Sequence, residues 1–232
     1  YGRGASWRNI AGGRPTFTVP ELSDIARNNL EIFKELEKKS SIDFHSIQYV
    51  TFAHDEATYN ALEKSMEWSD AKMIQPADFK KHISPYLNPD LKKYQAALIT
   101  NDCWQATPGK VVDSIRKIGI EKGGEILEDC KLIDVRKEDK KYIVLVQTHE
   151  QEYVEYVTNH FVNALGPEAD TFAKKLNIET GLFPVKHQAF ITRRLPMMGL
   201  NGNPLNMLID RRKYKGFSAV YVQQLAETGQ II

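Results

Sequence analysis

Cysteine is nearly absent from this sequence. Cys103 and Cys130 are the only two, far apart and in no CxxC pair, which argues against a disulfide framework or a zinc knuckle. A reduced, cytoplasmic setting is therefore expected. No charge of one sign dominates, because 31 basic residues offset 30 acidic ones and leave a net +1, so no nucleic acid or other polyanion partner is predicted. No apolar run approaches the roughly 20 residues of a membrane span. None of the six histidines (His45, His54, His82, His149, His160, His187) has the i,i+4 partner of a metalloprotease helix, and no metal site is expected. A GxSxG elbow is missing, as are a Walker loop and a GxGxxG. Cys103 beside Trp104 is more simply a buried thiol than a nucleophile.

What is present is a chain of 232 residues, 42% hydrophobic, with a mean hydropathy of -0.43, enough to bury a core in one large or two modest domains. Residues 1–18 hold four of the fourteen glycines and no hydrophobic period, a loop that needs unusual backbone angles or close approach to something. Thr18 or Ser23 caps an amphipathic helix through Leu22, Ile25, Ile32 and Leu36, with Lys38 and Lys39 at its carbonyl end. A strand over 46–53, a helix over 55–68 and a short helix over 77–83 follow. Next come a short strand over 96–100, a loop over 102–109 and a helix opened by Pro108. Two strands, 126–135 and 142–148, flank the charged turn 136–141. A third, 152–164, becomes more continuously apolar at Phe161 and Val162, as a strand entering a core does. It ends at Gly166 and Pro167, before a helix over 168–176. That corner is either an ordinary tight connection or a place where backbone N–H groups meet a ligand. Strands are expected over 183–192, 205–209 and 217–222, and the final AETGQII reads as a hairpin turn.

The order of these pieces resembles the D-amino-acid-oxidase-type, FAD-dependent oxidoreductases, the group of glycine, sarcosine and dimethylglycine oxidases and dehydrogenases. Gly4, Ala5, Ser6, Arg8, Asn9, Ala11, Gly12 and Gly13 are similar to the family's loop along the flavin diphosphate and ring. Gln105 to Pro108 is similar to the segment before the helix leading to Gly124-Glu125-Ile126, whose strand, through Leu132, meets the adenine in the family. Asn163 to Pro167 resembles the family's Asn-Ala-Ala-Gly-Pro turn.

The resemblance implies an α+β protein. Its substrate-binding domain (19–101 and 181–232) would carry a large mixed or antiparallel sheet flanked by helices, beside partial Rossmann-like FAD-binding elements (1–18 and 102–180). The family's GxGxxG would precede position 1, so the sequence reads as a fragment. FAD would be held non-covalently, since Arg8 or Asn9 stands where dimethylglycine-type enzymes place a flavin-linked His. The implied cofactor contacts are Ser6, Arg8, Asn9, Gly12, Gly13, Leu132, Ala164 and Gly166. Where relatives carry a carboxylate-binding Arg near the last strands, this chain has Tyr221-Val222-Gln223-Gln224, so Gln188, Arg211 and Gln224 are the implied substrate contacts, with Arg212 beside them. The implied reaction is oxidation of a C–N bond in a small amine or amino acid by hydride transfer, followed by imine hydrolysis. No general base is assigned, and homo-oligomerisation is left open. The alternative is a non-catalytic subunit or binding module with the same sheet.

Overall fold

The computed structural model describes residues 4–15, 17, 20–87, 93–212 and 219–232. In chain order its elements are β1 (Gly12–Gly13), α1 (Pro20–Ser40), β2 (His45–Ala53), α2 (Glu56–Ser65), β3 (Ala71–Ile74), α3 (Phe79–His82), β4 (Ala96–Gln105), α4 (Pro108–Glu121), β5 (Lys131–Glu138), β6 (Lys141–Gln147), β7 (Tyr153–Thr158), α5 (Ala169–Lys175), β8 (Met207–Asp210) and β9 (Val220–Val222). They form two compact units, Arg8–Ser114 with Ala189–Ile232, and the segment ending at Trp7 with Ile115–Gln188. The expected Thr18 cap and residues 217 and 218 of the expected last strand lie outside the described residues.

The larger unit is built on a mixed six-stranded sheet of order β1-β4-β2-β8-β9, with β3 also paired to β4. Every pairing is antiparallel except that of β2 with β8, which sets Tyr49 beside Met207 and Thr51 beside Ile209. β2 is central, and Tyr49 through Ala53 are all buried, as expected of a strand covered on both faces. Its side chains alternate between two clusters. Val50 and Phe52 join Phe79, Ile83, Ile99 and Leu208, and Ile47 and Tyr49 join Cys103, Met207 and Ile209. Glu37 fixes the passage from α1 into β2: its Oε2 accepts the backbone N–H groups of Ile42 at 2.7 Å and Phe44 at 3.0 Å. Asp55 caps α2 by accepting the Thr58 N–H at 2.7 Å.

Three expectations need correction in this unit. The loop expected at 102–109 is mostly strand, because β4 runs on to Gln105. Asp102, at φ 54°, absorbs the register shift opposite Ile47 and Tyr49, and Asp tolerates the left-handed region well. β3 was not expected; it finds a partner in the half of β4 from Ala97 to Thr100. The strand expected over 183–192 is irregular, and Phe190 is 78% exposed. Pairing begins only at its end, where the Thr192 N–H donates to Ile231 O at 2.9 Å. The closing hairpin is present, with Gln223 and Ile232 exchanging both backbone hydrogen bonds.

The smaller unit holds an antiparallel sheet of order β5-β6-β7. Val135, Phe172 and Ala173 are buried, and Lys175 of α5 pairs with Asp134 of β5 at 2.7 Å. The third strand stops at Thr158, opposite Tyr142 near the start of β6. Beyond that point no strand partners it, so Val162 is 85% exposed rather than buried.

Asp210, at the end of β8, closes a polar cluster. It accepts from Tyr94 Oη at 2.6 Å and Arg212 Nε at 2.8 Å, and the Arg212 guanidinium lies 5.4 Å from the Tyr94 ring centroid. Burial alone would raise the Asp210 carboxyl, but the hydrogen bonds from Arg212 and Tyr94 outweigh it and hold it at about 2. A depressed carboxyl stabilises the fold above its unfolded pKa and loses that contribution as pH falls through the folded value. Asp210→Asn is therefore expected to cost about 2 kcal/mol at neutral pH. Urea unfolding of both proteins should show the gap closing from pH 3.8 downward, toward about 2.

Candidate functional site

The glycine-rich loop folds onto the end of β4. Asn9 Oδ1 accepts the Ala11 N–H at 2.7 Å, which holds Ala11 at φ 65°. Ala11 O then accepts the Ala106 N–H at 3.1 Å, and Gly12 and Gly13 pair with Gln105 and Trp104. Both glycines are required by close approach. A Cβ on Gly12 would stand 2.4 Å from Tyr49 Oη, 2.8 Å from Met207 Cε and 2.9 Å from Gln223 Oε1, and one on Gly13 would stand 2.2 Å from Trp104 Cε2.

Beside this contact lies a cavity of about 300 Å³, lined by Ile10, Gly12, Gly13, Arg14, Phe17, Ala26, Asn29, Tyr49, Trp104, Met207 and Tyr221. Its walls are largely apolar and aromatic, and Arg14 is the one charged residue among those lining it. Burial pushes the Tyr49 phenol well above its ordinary value, so it is a neutral hydrogen-bonding group rather than a base. Burial also pushes the Cys103 thiol up to about 12, which leaves it protonated and unreactive.

The residues singled out from the sequence are distributed as follows. Arg8 and Asn9 are exposed in the larger unit. In the smaller unit Ser6 is exposed in a turn, Leu132 is half-buried in β5, and Ala164 and Gly166 are exposed at the corner before α5. Gly166 takes φ 58° there, and Asn163 ties the corner together by donating to Ala169 O at 2.8 Å. Gln188, in the smaller unit, and Arg211, in the larger, are exposed, while the Arg212 guanidinium is held by Asp210.

Gln224 is fully buried. Its Oε1 accepts from Met198 N at 2.8 Å and Leu205 N at 3.0 Å, and its Nε2 donates to Pro196 O at 2.8 Å and Gly229 O at 2.9 Å. All four positions of the amide are occupied by backbone. Arg14, Tyr49 and Met207 are not singled out by the sequence, and of the two adjacent glutamines it is Gln224, not Gln223, that the sequence offers as a substrate contact. A usable signal for Arg14 was its place directly after the Gly-Gly pair, in a loop already read as approaching something.

Among the described residues, no group of three or more His, Cys, Asp or Glu could hold a metal ion, and no helix is long and apolar enough to cross a membrane. No curated protein matches the sequence. Among solved structures, L-proline dehydrogenase from P. horikoshii superposes with a TM-score of 0.80 at 21% identity, over 99% of this chain and 59% of its own. Glycine oxidase from Geobacillus kaustophilus gives 0.78 at 13% identity, over 99% and 60%. L-alpha-glycerophosphate oxidase from Mycoplasma pneumoniae, with FAD bound, gives 0.65 at 15% identity, over 99% and 61%. The chain thus spans about three-fifths of the length of each, and these likenesses establish the fold. The family model for FAD dependent oxidoreductases (DAO) matches residues 1–223, nearly the whole sequence, and the chain belongs to that family.

Proposed function

We propose that this chain carries the substrate-facing sheet of an FAD-dependent enzyme that oxidises a C–N bond in a small amine or amino acid. The observation that carries the reading is the cavity beside β1. At about 300 Å³ it lies at the lower end of small-molecule sites, too small for a whole dinucleotide. When bound, FAD supplies the two-electron acceptor. The chain's own residues orient and shield the substrate: Trp104, Met207 and Tyr221 line the cavity and keep water from the reacting carbon, and Tyr49 offers a neutral hydroxyl.

The residues present fit the cofactor. Arg8 is exposed and has no carboxylate partner among the described residues, which suits a diphosphate. Asn9, Gly12 and Gly13 share its loop, and Ser6, Leu132, Ala164 and Gly166 are the contacts proposed in the other unit. Gln188 and Arg211 are kept as substrate contacts, each in its own unit.

The test is an absorbance spectrum of the purified full-length protein before and after denaturation. Flavin that is present and released on unfolding supports the reading, with non-covalent binding. A colourless protein that does not take up added FAD overturns it in favour of a binding module. Arg8→Ala is expected to weaken FAD binding about tenfold, the loss of one charge-assisted contact, measured by quenching of flavin fluorescence.

A further inference from the structure

We propose that the strap formed by residues 11–15 is a gate over the cavity, which lifts from the end of β4 as a local unit, and that the buried Gln223 amide beneath Gly12 biases it toward opening. The inference goes beyond the oxidoreductase reading and does not depend on which ligand the cavity takes.

Attachment is the first argument. β1 is two residues long and stands at the edge of its sheet. Its hold on β4 among the described residues is the pairing of Gly12 with Gln105 and Gly13 with Trp104, continued by the Ala106 N–H donating to Ala11 O at 3.1 Å. So short a pairing opens at much lower free energy than the central ladder between β2 and β4. Release also returns backbone freedom, of which glycine has the most to regain. The far end is firmer. The Phe17 N–H donates to Ser23 Oγ at 2.9 Å, and its carbonyl accepts from the same hydroxyl at 3.2 Å. Ser23 is buried in α1, so the strap is tethered when it lifts.

Place is the second. Gly12, Gly13 and Arg14 line the cavity, and so do Tyr49, Trp104 and Met207. The first three belong to the strap and the last three to the central strands. Lifting the strap therefore removes one wall and leaves the others standing.

Gln223 is the third and independent observation. It is fully buried, and neither its Oε1 nor its Nε2 has a hydrogen-bond partner among the described residues. Its Oε1 stands 2.9 Å from where a Cβ on Gly12 would be, so Gly12 is part of what keeps water from it. Gln224 beside it has four backbone partners, which makes the deficit local to Gln223. A buried amide without partners is costly, and the cost is relieved once water reaches it. The closed strap carries that penalty, and the open strap does not.

The experiment is residue-resolved amide hydrogen exchange on the full-length protein, with flavin content measured on the same sample. The Ala106 N–H, which donates to the strap, is the reporter. The Thr107 N–H donates instead to Ile42 O at 2.9 Å. Ala106 should exchange at least about tenfold faster than Thr107 and than the amides joining β2 to β4, with little response to low urea, because lifting the strap exposes little surface. Gln223→Leu should slow Ala106 about fivefold. Asp210→Asn, which weakens the unit far from the strap, should speed the β2–β4 amides and leave Ala106 within about twofold of its rate. An Ala106 rate that follows urea and Asp210→Asn as the β2–β4 amides do overturns the gate. An Ala106 rate that Gln223→Leu leaves unchanged overturns the bias assigned to the amide. Should Gln223→Leu not fold, Gln223→Met takes its place, and the urea response of the unaltered protein still decides on the gate. A protein without flavin in which Ala106 behaves as expected counts against the oxidoreductase reading alone.

Discussion

Gln224→Leu is expected to lower the stability of the larger unit by about 5 kcal/mol, whereas Gln223→Leu next to it should leave stability unchanged or raise it by up to about 1 kcal/mol. Both side chains are fully buried, so burial does not separate them. Their partners do. Removing the Gln224 amide strands two backbone N–H groups, Met198 and Leu205, and the Pro196 carbonyl, and leaves Gly229 O with the 3.3 Å bond from the Leu195 N–H. Each stranded buried group costs about 1–3 kcal/mol, and the losses add incompletely because all four groups share one site. Against a total stability of about 5–15 kcal/mol, that loss is about a third of the whole or more. Gln223 has no hydrogen-bond partner to strand among the described residues, and an apolar side chain of similar volume removes an unpaired amide instead. Urea unfolding of the two variants is the measurement, and a Gln224 variant as stable as the unaltered protein would refute the network as drawn.

This pair also marks where the sequence stopped being legible. Within Tyr221-Val222-Gln223-Gln224 the expected substrate contact is Gln224, with a second glutamine directly before it. Side chains on an extended chain alternate, so a shift of one residue exchanges cavity for interior. Nothing local fixes that register. It is set by pairing to Ile232 and by the backbone groups that gather around Gln224. The same limit explains Phe183 and Phe190, whose apolar character suggests a strand although no strand among the described residues pairs with them. By contrast, the presence of α1, β2, α2 and the β5–β6 hairpin was legible, because helical spacing, a run of β-formers and a charged turn are local signals, although the buried face of α1 was not: Ala26 and Leu36 are buried while Leu22, Ile25 and Ile32 are about half exposed. Arg14 was hidden for another reason: its significance lies in being, among the described residues, the one charge lining a cavity whose other walls come from Tyr49, Trp104, Met207 and Tyr221, far away in sequence. The Gly12-Gly13 pair announced a close approach, but not that Trp104 was what it approached.

Gly13→Ala is expected to destabilise the larger unit by about 3 kcal/mol and to abolish ligand binding in the cavity. The added methyl would stand 2.2, 2.4 and 2.6 Å from Cε2, Cζ2 and Nε1 of Trp104. The indole has little room to retreat, because it is buried and packs on Phe33 with centroids 5.6 Å apart. Overpacking of this kind costs about 1–3 kcal/mol, occasionally more. The β1–β4 pairing offers the easiest relief, since β1 holds only two residues at the sheet edge. Peeling it away would carry off Arg14, which follows Gly13 directly, and open the cavity. A double-mutant cycle separates this cause from a general loss of backbone freedom. Trp104→Leu alone should cost about 3 kcal/mol as a large-to-small core change. In the double variant the methyl enters space the indole has left, so the combined cost should fall short of the sum by at least about 1 kcal/mol. Strict additivity would mean that the methyl does not meet the indole, and that the glycine is needed for some other reason.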